Sequence, residues 1–131
     1  EQVRIIPVAD RHLDYCNAGH NAPLIIDDKG NLTEIEVIPN LPLGLFEGFQ
    51  YEGQEMEINK RMMLYMFTDG VTEAENSARE LFGDERLTTL LKLKASLNPA
   101  ELINETFTHI NQHANGAEQS DDITVMCFKY C

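Results

Sequence analysis

"LYMFTDGVTEAEN", residues 64–76, runs the apolar segment Leu64 to Phe67 into a carboxylate, Asp69, and then at once into Gly70 and a helix-compatible stretch. A buried strand that ends on a carboxylate loses hydration energy unless that group is hydrogen-bonded or paired with a cation. Asp69 therefore asks for a partner. So does Asp121, which stands in "SDD" just ahead of the apolar run that begins at Ile123. Two such strand ends side by side would make an oxygen-rich pocket suited to a hard divalent ion, Mg²⁺ or Mn²⁺. The local patterns permit plainer readings too: Asp-Gly before a short helix is an ordinary N-cap or turn, and Ser-Asp-Asp an ordinary polar turn.

Upstream of this stretch the chain is strand-like. "VRIIPVA" (3–9), "HLDYCNA" (12–18), "PLIID" (23–27), "LTEIEVI" (32–38), "QEMEI" (54–58) and "RMMLYMFT" (61–68) are short, β-branched or aromatic, and separated by Gly, Pro, Asn or Asp. Asp10-Arg11 and "DDKGN" (27–31) supply hairpin turns. Residues 39–50, "PNLPLGLFEGFQ", form an ordered loop, either a flap or a connection held down by Leu43, Leu45 and Phe46.

Downstream the period changes. Leu87, Leu90 and Leu91 recur at helical spacing behind a candidate N-cap, Asp84. A second helix opens with Asn98 as cap, Pro99 at the first position and Glu101 completing a capping box; Ile103, Phe107, Ile110 and Ala114 form its apolar stripe, and Asn115-Gly116 stop it. "DDITVMCFKY" then reads as a strand buried on both faces, hence central in its sheet. Many strands, two helices and a last strand make an α+β layered fold in a single domain, residues 1–131.

With 43% hydrophobic residues the chain has material for one continuous core. No apolar run approaches the roughly 20 residues that span a bilayer, and "EQVRIIPVAD" lacks the pattern of a signal peptide, so a cytoplasmic location is expected for this chain, on a parent free to carry a membrane anchor. Ten Lys plus Arg against 22 Asp plus Glu leave a formal charge of −12, a field that opposes binding to nucleic acid. Cys16, Cys127 and Cys131 form neither a CxxC pair nor a metal-ligand spacing, and their odd count speaks against a complete disulfide framework.

Other sites compete for attention. Glu105, His109 and His113 share one helix face and could hold zinc, although without an HExxH arrangement. His20 is a lone turn histidine, of the kind that is usually structural. No GxSxG, P-loop or GxGxxG occurs.

Taken in order, "YCNAGHNAPLII" (15–26), "LPLGL" (41–45), "MFTDGVTEAEN" (66–76), "LFGDERL" (81–87) and "SDDITVMCFKY" (120–130) resemble the SpoIIE/RsbU-like branch of the metal-dependent protein phosphatases, the PPM or type 2C class. The resemblance implies an antiparallel β-sandwich flanked by helices and a two-metal Mn²⁺ or Mg²⁺ centre. It implies that Asp69 and Asp121 ligate metal, with Gly70 and Asp122 in supporting positions. The implied activity is removal of phosphate from serine or threonine of a phosphorylated partner protein, such as an anti-sigma factor antagonist in partner-switching signalling. In such centres a metal-bound water attacks phosphorus in line, so no protein nucleophile is required.

Two acidic motifs that the family carries upstream of "NAGH" have no counterpart here, so the resemblance is to the C-terminal two-thirds of the domain, N-terminally incomplete. That truncation suggests a fragment inactive by itself, and apolar strand edges open to pairing in a homodimer. The alternative on the same fold is a non-catalytic module that binds a regulatory protein.

Overall fold

The computed structural model describes residues 3–7 and 11–131. Its elements are β1 (Val3–Pro7), β2 (His12–Asn17), β3 (Leu24–Ile26), β4 (Leu32–Glu34), β5 (Gln54–Glu57), β6 (Met63–Phe67), α1 (Asp69–Thr72), α2 (Gly83–Leu93), α3 (Pro99–Ala114) and β7 (Val125–Lys129). Val8, Ala9 and Asp10, expected to finish the first strand and its turn, lie outside the described residues. The strands form two antiparallel sheets, β1-β2-β5 and β4-β3-β6-β7. The α+β sandwich expected from the sequence is the architecture observed, with α2 and α3 packed on the outer face of the second sheet.

β6 is the spine. All five of its residues are buried, and strand alternation sends them to two cores. Met63, Tyr65 and Phe67 pack with Leu24 and Ile26 of β3 against Leu87 and Leu91 of α2 and Leu102 and Ile110 of α3. Leu64 and Met66 point the other way and meet Ile25, Leu13 and Tyr15 between the sheets. A one-residue slip of β6 would exchange the two sets and empty both cores of their matched partners.

α3 has the predicted start. The Asn98 side chain accepts from the Glu101 amide at 3.0 Å, and a Glu101 carboxylate oxygen accepts from the Asn98 amide at 3.0 Å. Its buried stripe is shifted, however: Leu102, Thr106 and Ile110 are buried, while Ile103, Phe107 and Ala114 are half-buried. Thr106 is tolerated in the core because its hydroxyl donates to the Leu102 carbonyl at 2.9 Å and accepts from the Tyr65 hydroxyl at 2.9 Å. Leu102 and Thr106 thus take the places expected of Ile103 and Phe107, while Ile110 keeps its own. α2 starts at Gly83, with Asp84 in the first turn and not at the cap, where its charge still favours the helix N-terminus.

The last strand departs from expectation in position. β7 is the terminal strand of its sheet among the described residues, paired with β6 alone, and Met126 is 56% exposed. It is apolar on both faces because Val125 and Cys127 reach the helix-side core while Phe128 and Tyr130 reach the core between sheets. Burial drives the Cys127 thiol up to about 11. The loop at 39–50 also differs: Leu43, Leu45 and Phe46 are exposed, so they do not hold it down. Among the described residues no helix is long and apolar enough to cross a membrane.

Burial raises the Tyr65 phenol above its ordinary value, chiefly by desolvation. As pH rises past about 10, the unfolded chain releases this proton while the folded chain keeps it, so stability falls with increasing pH. Urea unfolding is expected to show Tyr65→Phe destabilised by about 1–2 kcal/mol at pH 7, from the lost hydrogen bond, and less steeply destabilised than wild type above pH 10.

Candidate metal centre

The two candidate carboxylates are brought to one end of the second sheet by the antiparallel pairing of β6 with β7, whose last matched pair is Phe67 with Val125. Asp69 follows β6 and Asp121 precedes β7, so both stand at the same rim. Thr68 extends the pairing beyond the strands. Its amide donates to the Thr124 carbonyl at 3.0 Å, while its hydroxyl accepts from the Thr124 amide at 3.0 Å and donates to the Asp122 carbonyl at 3.1 Å. With both its backbone and its side chain engaged, Thr68 fixes the entry into α1 against the segment 122–124.

Gly70 is buried under the same segment. A Cβ at this position would fall inside the contact radius of the Asp122 carbonyl oxygen and lie 2.9 Å from its carbon, so only glycine allows the approach. Asp122 thus takes part through its main chain, and its side chain is exposed. Asp121 is exposed, with one carboxylate oxygen accepting from the Asp122 amide at 2.7 Å and its carbonyl accepting from the Gln119 side chain at 2.6 Å.

Asp69 is exposed as well, and a third segment orients it: the Asn21 side-chain amide donates to a carboxylate oxygen at 2.5 Å. Asn21 closes a turn built by Asn17, whose buried side chain donates to the His20 carbonyl and accepts from the His20 amide, both at 2.7 Å. His20 donates from Nδ1 to the Asn21 carbonyl at 2.9 Å, which makes it structural. Asn21 and Thr68 are the residues the sequence analysis did not single out. Their neighbours in "NAGHN" and "FTDG" were the only signal, because an amide that meets a carboxylate 48 positions later has no local pattern.

Two exposed carboxylates on adjacent strand ends match a hard divalent ion in donor chemistry. They fall short in number: among the described residues no group of three or more His, Cys, Asp and Glu side chains is placed to hold a metal. Two carboxylates alone are fewer ligands than a whole divalent-ion site needs. The histidine face of α3 fares worse. His109 bonds the Glu105 carbonyl and lies 3.9 Å from its carboxylate, which is 3.1 Å from Lys94, while His113 turns to the Glu80 carbonyl, so the three side chains do not converge on one point.

The sandwich and its helices have the fold of PP2C domains. The SiaA PP2C domain of Pseudomonas aeruginosa superposes with a TM-score of 0.76 at 19% identity, over 92% of this chain and 47% of that one. The manganese-presoaked phosphatase domain of the cell fate determinant SpoIIE from Bacillus subtilis gives 0.71 at 14% identity, over 98% of this chain and 56% of that one. The profile of the family described as Stage II sporulation protein E (SpoIIE) matches residues 3–130, and the chain belongs to that family. In sequence it is similar to the phosphoserine phosphatase RsbP of Bacillus subtilis, 27% identical over 117 residues. The match covers 89% of this chain and 27% of RsbP, so the chain spans less than a third of that relative and about half of the two solved domains.

Replacing Gly70 by Ala is expected to displace the 122–124 segment and to destabilise the fold by roughly 1–3 kcal/mol in urea unfolding, the usual cost of overpacking.

Proposed function

We propose that this chain is the part of a metal-dependent serine/threonine phosphatase domain that presents Asp69 and Asp121 to a Mn²⁺ or Mg²⁺ centre. The carrying observation is the Thr68 bridge, which places two acidic strand ends at one rim with Asp69 already oriented by Asn21. In this reading Gly70 permits the close approach and Asp122 supports it through its carbonyl, while the remaining ligands come from outside the described residues. A divalent pair held with the help of Asp69 and Asp121 would supply an activated water and offset charge on the phosphoryl oxygens. The chain's own part is to fix the geometry of two carboxylates before any ion arrives, so that binding does not have to order them.

The substrate in this proposal is a phosphoserine or phosphothreonine of a partner protein, such as an anti-sigma factor antagonist of cytoplasmic partner-switching signalling. Membership of the SpoIIE family and similarity to RsbP support that class. The non-catalytic alternative is favoured only by the incomplete ligand set among the described residues.

Calorimetric titration of Mn²⁺ separates these readings. Saturable binding is expected for the wild-type chain, lost in Asp69→Asn and weakened roughly 10–100-fold in Asn21→Ala, the usual effect of removing a group that orients a metal ligand. Wild-type protein with no Mn²⁺ affinity would sink the proposal that these residues form part of a centre.

The proposal extends to self-association through an open strand edge. The outer edge of β7 is unpaired among the described residues, and its exposed Met126 adds an apolar side chain beside open backbone groups. Sedimentation velocity is expected to show a concentration-dependent homodimer that Met126→Lys weakens; a monomer at high concentration would refute pairing through this edge.

A further inference from the structure

Residues 115–124 connect the end of α3 at Ala114 to the start of β7 at Val125, and Asp121 lies among them. Both ends of this connection are held. The Ala117 amide donates to the Ala114 carbonyl at 2.9 Å, and Thr68 grips the main chain of Asp122 and Thr124. Between these anchors no backbone–backbone hydrogen bond engages residues 118–121 among the described residues. Asp121 therefore stands just outside the clamp that fixes its neighbour, in a stretch without main-chain support.

Gln119 supplies what the backbone does not. Its side-chain amide donates to the Asp121 carbonyl at 2.6 Å, while the Asp122 amide donates to the Asp121 carboxylate at 2.7 Å. One bond holds the peptide that follows Asp121 and the other holds its side chain, so the direction of the carboxylate is set from both. The Gln119 bond is not a by-product of packing. The residue is exposed, its side chain makes no other hydrogen bond among the described residues, and it borders an open cleft of about 340 Å³. Asn76, Ser77, Arg79 and Glu118 wall that cleft, so its lining is mainly polar. Ordering an exposed glutamine costs rotamer entropy, and the bond to Asp121 is what offsets it.

We propose that Gln119 is the positioning residue of Asp121, as Asn21 is of Asp69. This rests on the metal-centre reading above. The two carboxylates belong to different strand ends, and each is served by a side-chain amide from outside its strand: Asn21 from the Asn17–Asn21 turn, Gln119 from the connection behind α3. An amide suits the task because it donates without adding a charge. A lysine or arginine in its place would pair with the carboxylate and compete with the ion for it. Gln119 also acts on the main chain, which leaves the Asp121 carboxylate oxygens with free lone pairs for a cation. Without that bond the peptide between Asp121 and Asp122 is free to rotate, and the carboxylate loses its fixed direction.

The test uses the full-length protein that contains this chain. It reads Mn²⁺ binding by calorimetry, the EPR spectrum of the bound Mn²⁺, and urea unfolding of the metal-free protein. Gln119→Met keeps the length of the side chain and removes its donor. It is expected to raise the Kd for Mn²⁺ about 10–100-fold, the usual effect of removing a group that orients a metal ligand. It is also expected to alter the EPR spectrum at saturating Mn²⁺, because a ligand has changed direction, and to leave the urea midpoint at the wild-type value. Gln119→Ala is expected to match it, since the donor matters and the bulk does not. A lowered urea midpoint alongside weaker binding would mark Gln119 as a residue needed for the fold and overturn the proposal. Wild-type and variant proteins that bind Mn²⁺ equally well overturn this proposal alone, whereas a wild type without Mn²⁺ affinity refutes the metal-centre reading and this proposal with it.

Discussion

Everything at the rim of the second sheet depends on the bridge between Thr68 and the segment 122–124. An antiparallel pair normally loosens where its strands diverge, and here the divergence begins just past Phe67 and Val125. Thr68 prevents this by acting as backbone donor, side-chain donor and side-chain acceptor towards two residues of the opposite segment. Each bond contributes only about 0.5–1.5 kcal/mol net. Together they hold two negatively charged chain segments near each other, which Coulomb repulsion would otherwise drive apart. The missing side chain at Gly70 completes the arrangement, because any Cβ would push the Asp122 carbonyl away.

The bridge can be firm because β6 behind it is immobilised on both faces. Met63, Tyr65 and Phe67 are locked among helices, Leu64 and Met66 between sheets, and the Tyr65–Thr106 hydrogen bond ties the strand to the middle of α3. Precise placement of a functional carboxylate at a strand end is easier than on a free loop, since the rotamers and backbone behind it are set by packing. Asn21 adds the last constraint from a different part of the chain, so Asp69 is oriented by an element that shares neither β6 nor β7.

The surface has a corresponding division of labour. Acidic groups outnumber basic ones 22 to 10, and an acidic field attracts divalent cations while it repels phosphorylated ligands. The 38–46 loop, by contrast, carries no charged side chain and exposes Leu43, Leu45 and Phe46. Pro42 packs over Gly19 and so joins the base of this loop to the Asn17–Asn21 turn.

The periodic signals were legible in the linear chain: strand alternation in β6, the capping box at Asn98 and Glu101, the hairpin glycine at Gly30, and the ordered motifs that carry the family resemblance. These are local or pattern properties, and local chemistry determines them. What the sequence could not express is which distant groups meet. The buried stripe of α3 centres on Leu102, Thr106 and Ile110 because Tyr65 supplies a partner for a threonine hydroxyl, a fact written 41 positions away. β7 reads as central because it is apolar on both faces, yet it closes the margins of two cores at once. By itself the sequence determined the elements, the two aspartates at strand ends and the glycine beside one of them. Only the tertiary structure decided that Thr68 joins those ends, that Asn21 orients Asp69 and that Leu45 and Phe46 face water, because each depends on long-range approach of side chains that no local period encodes.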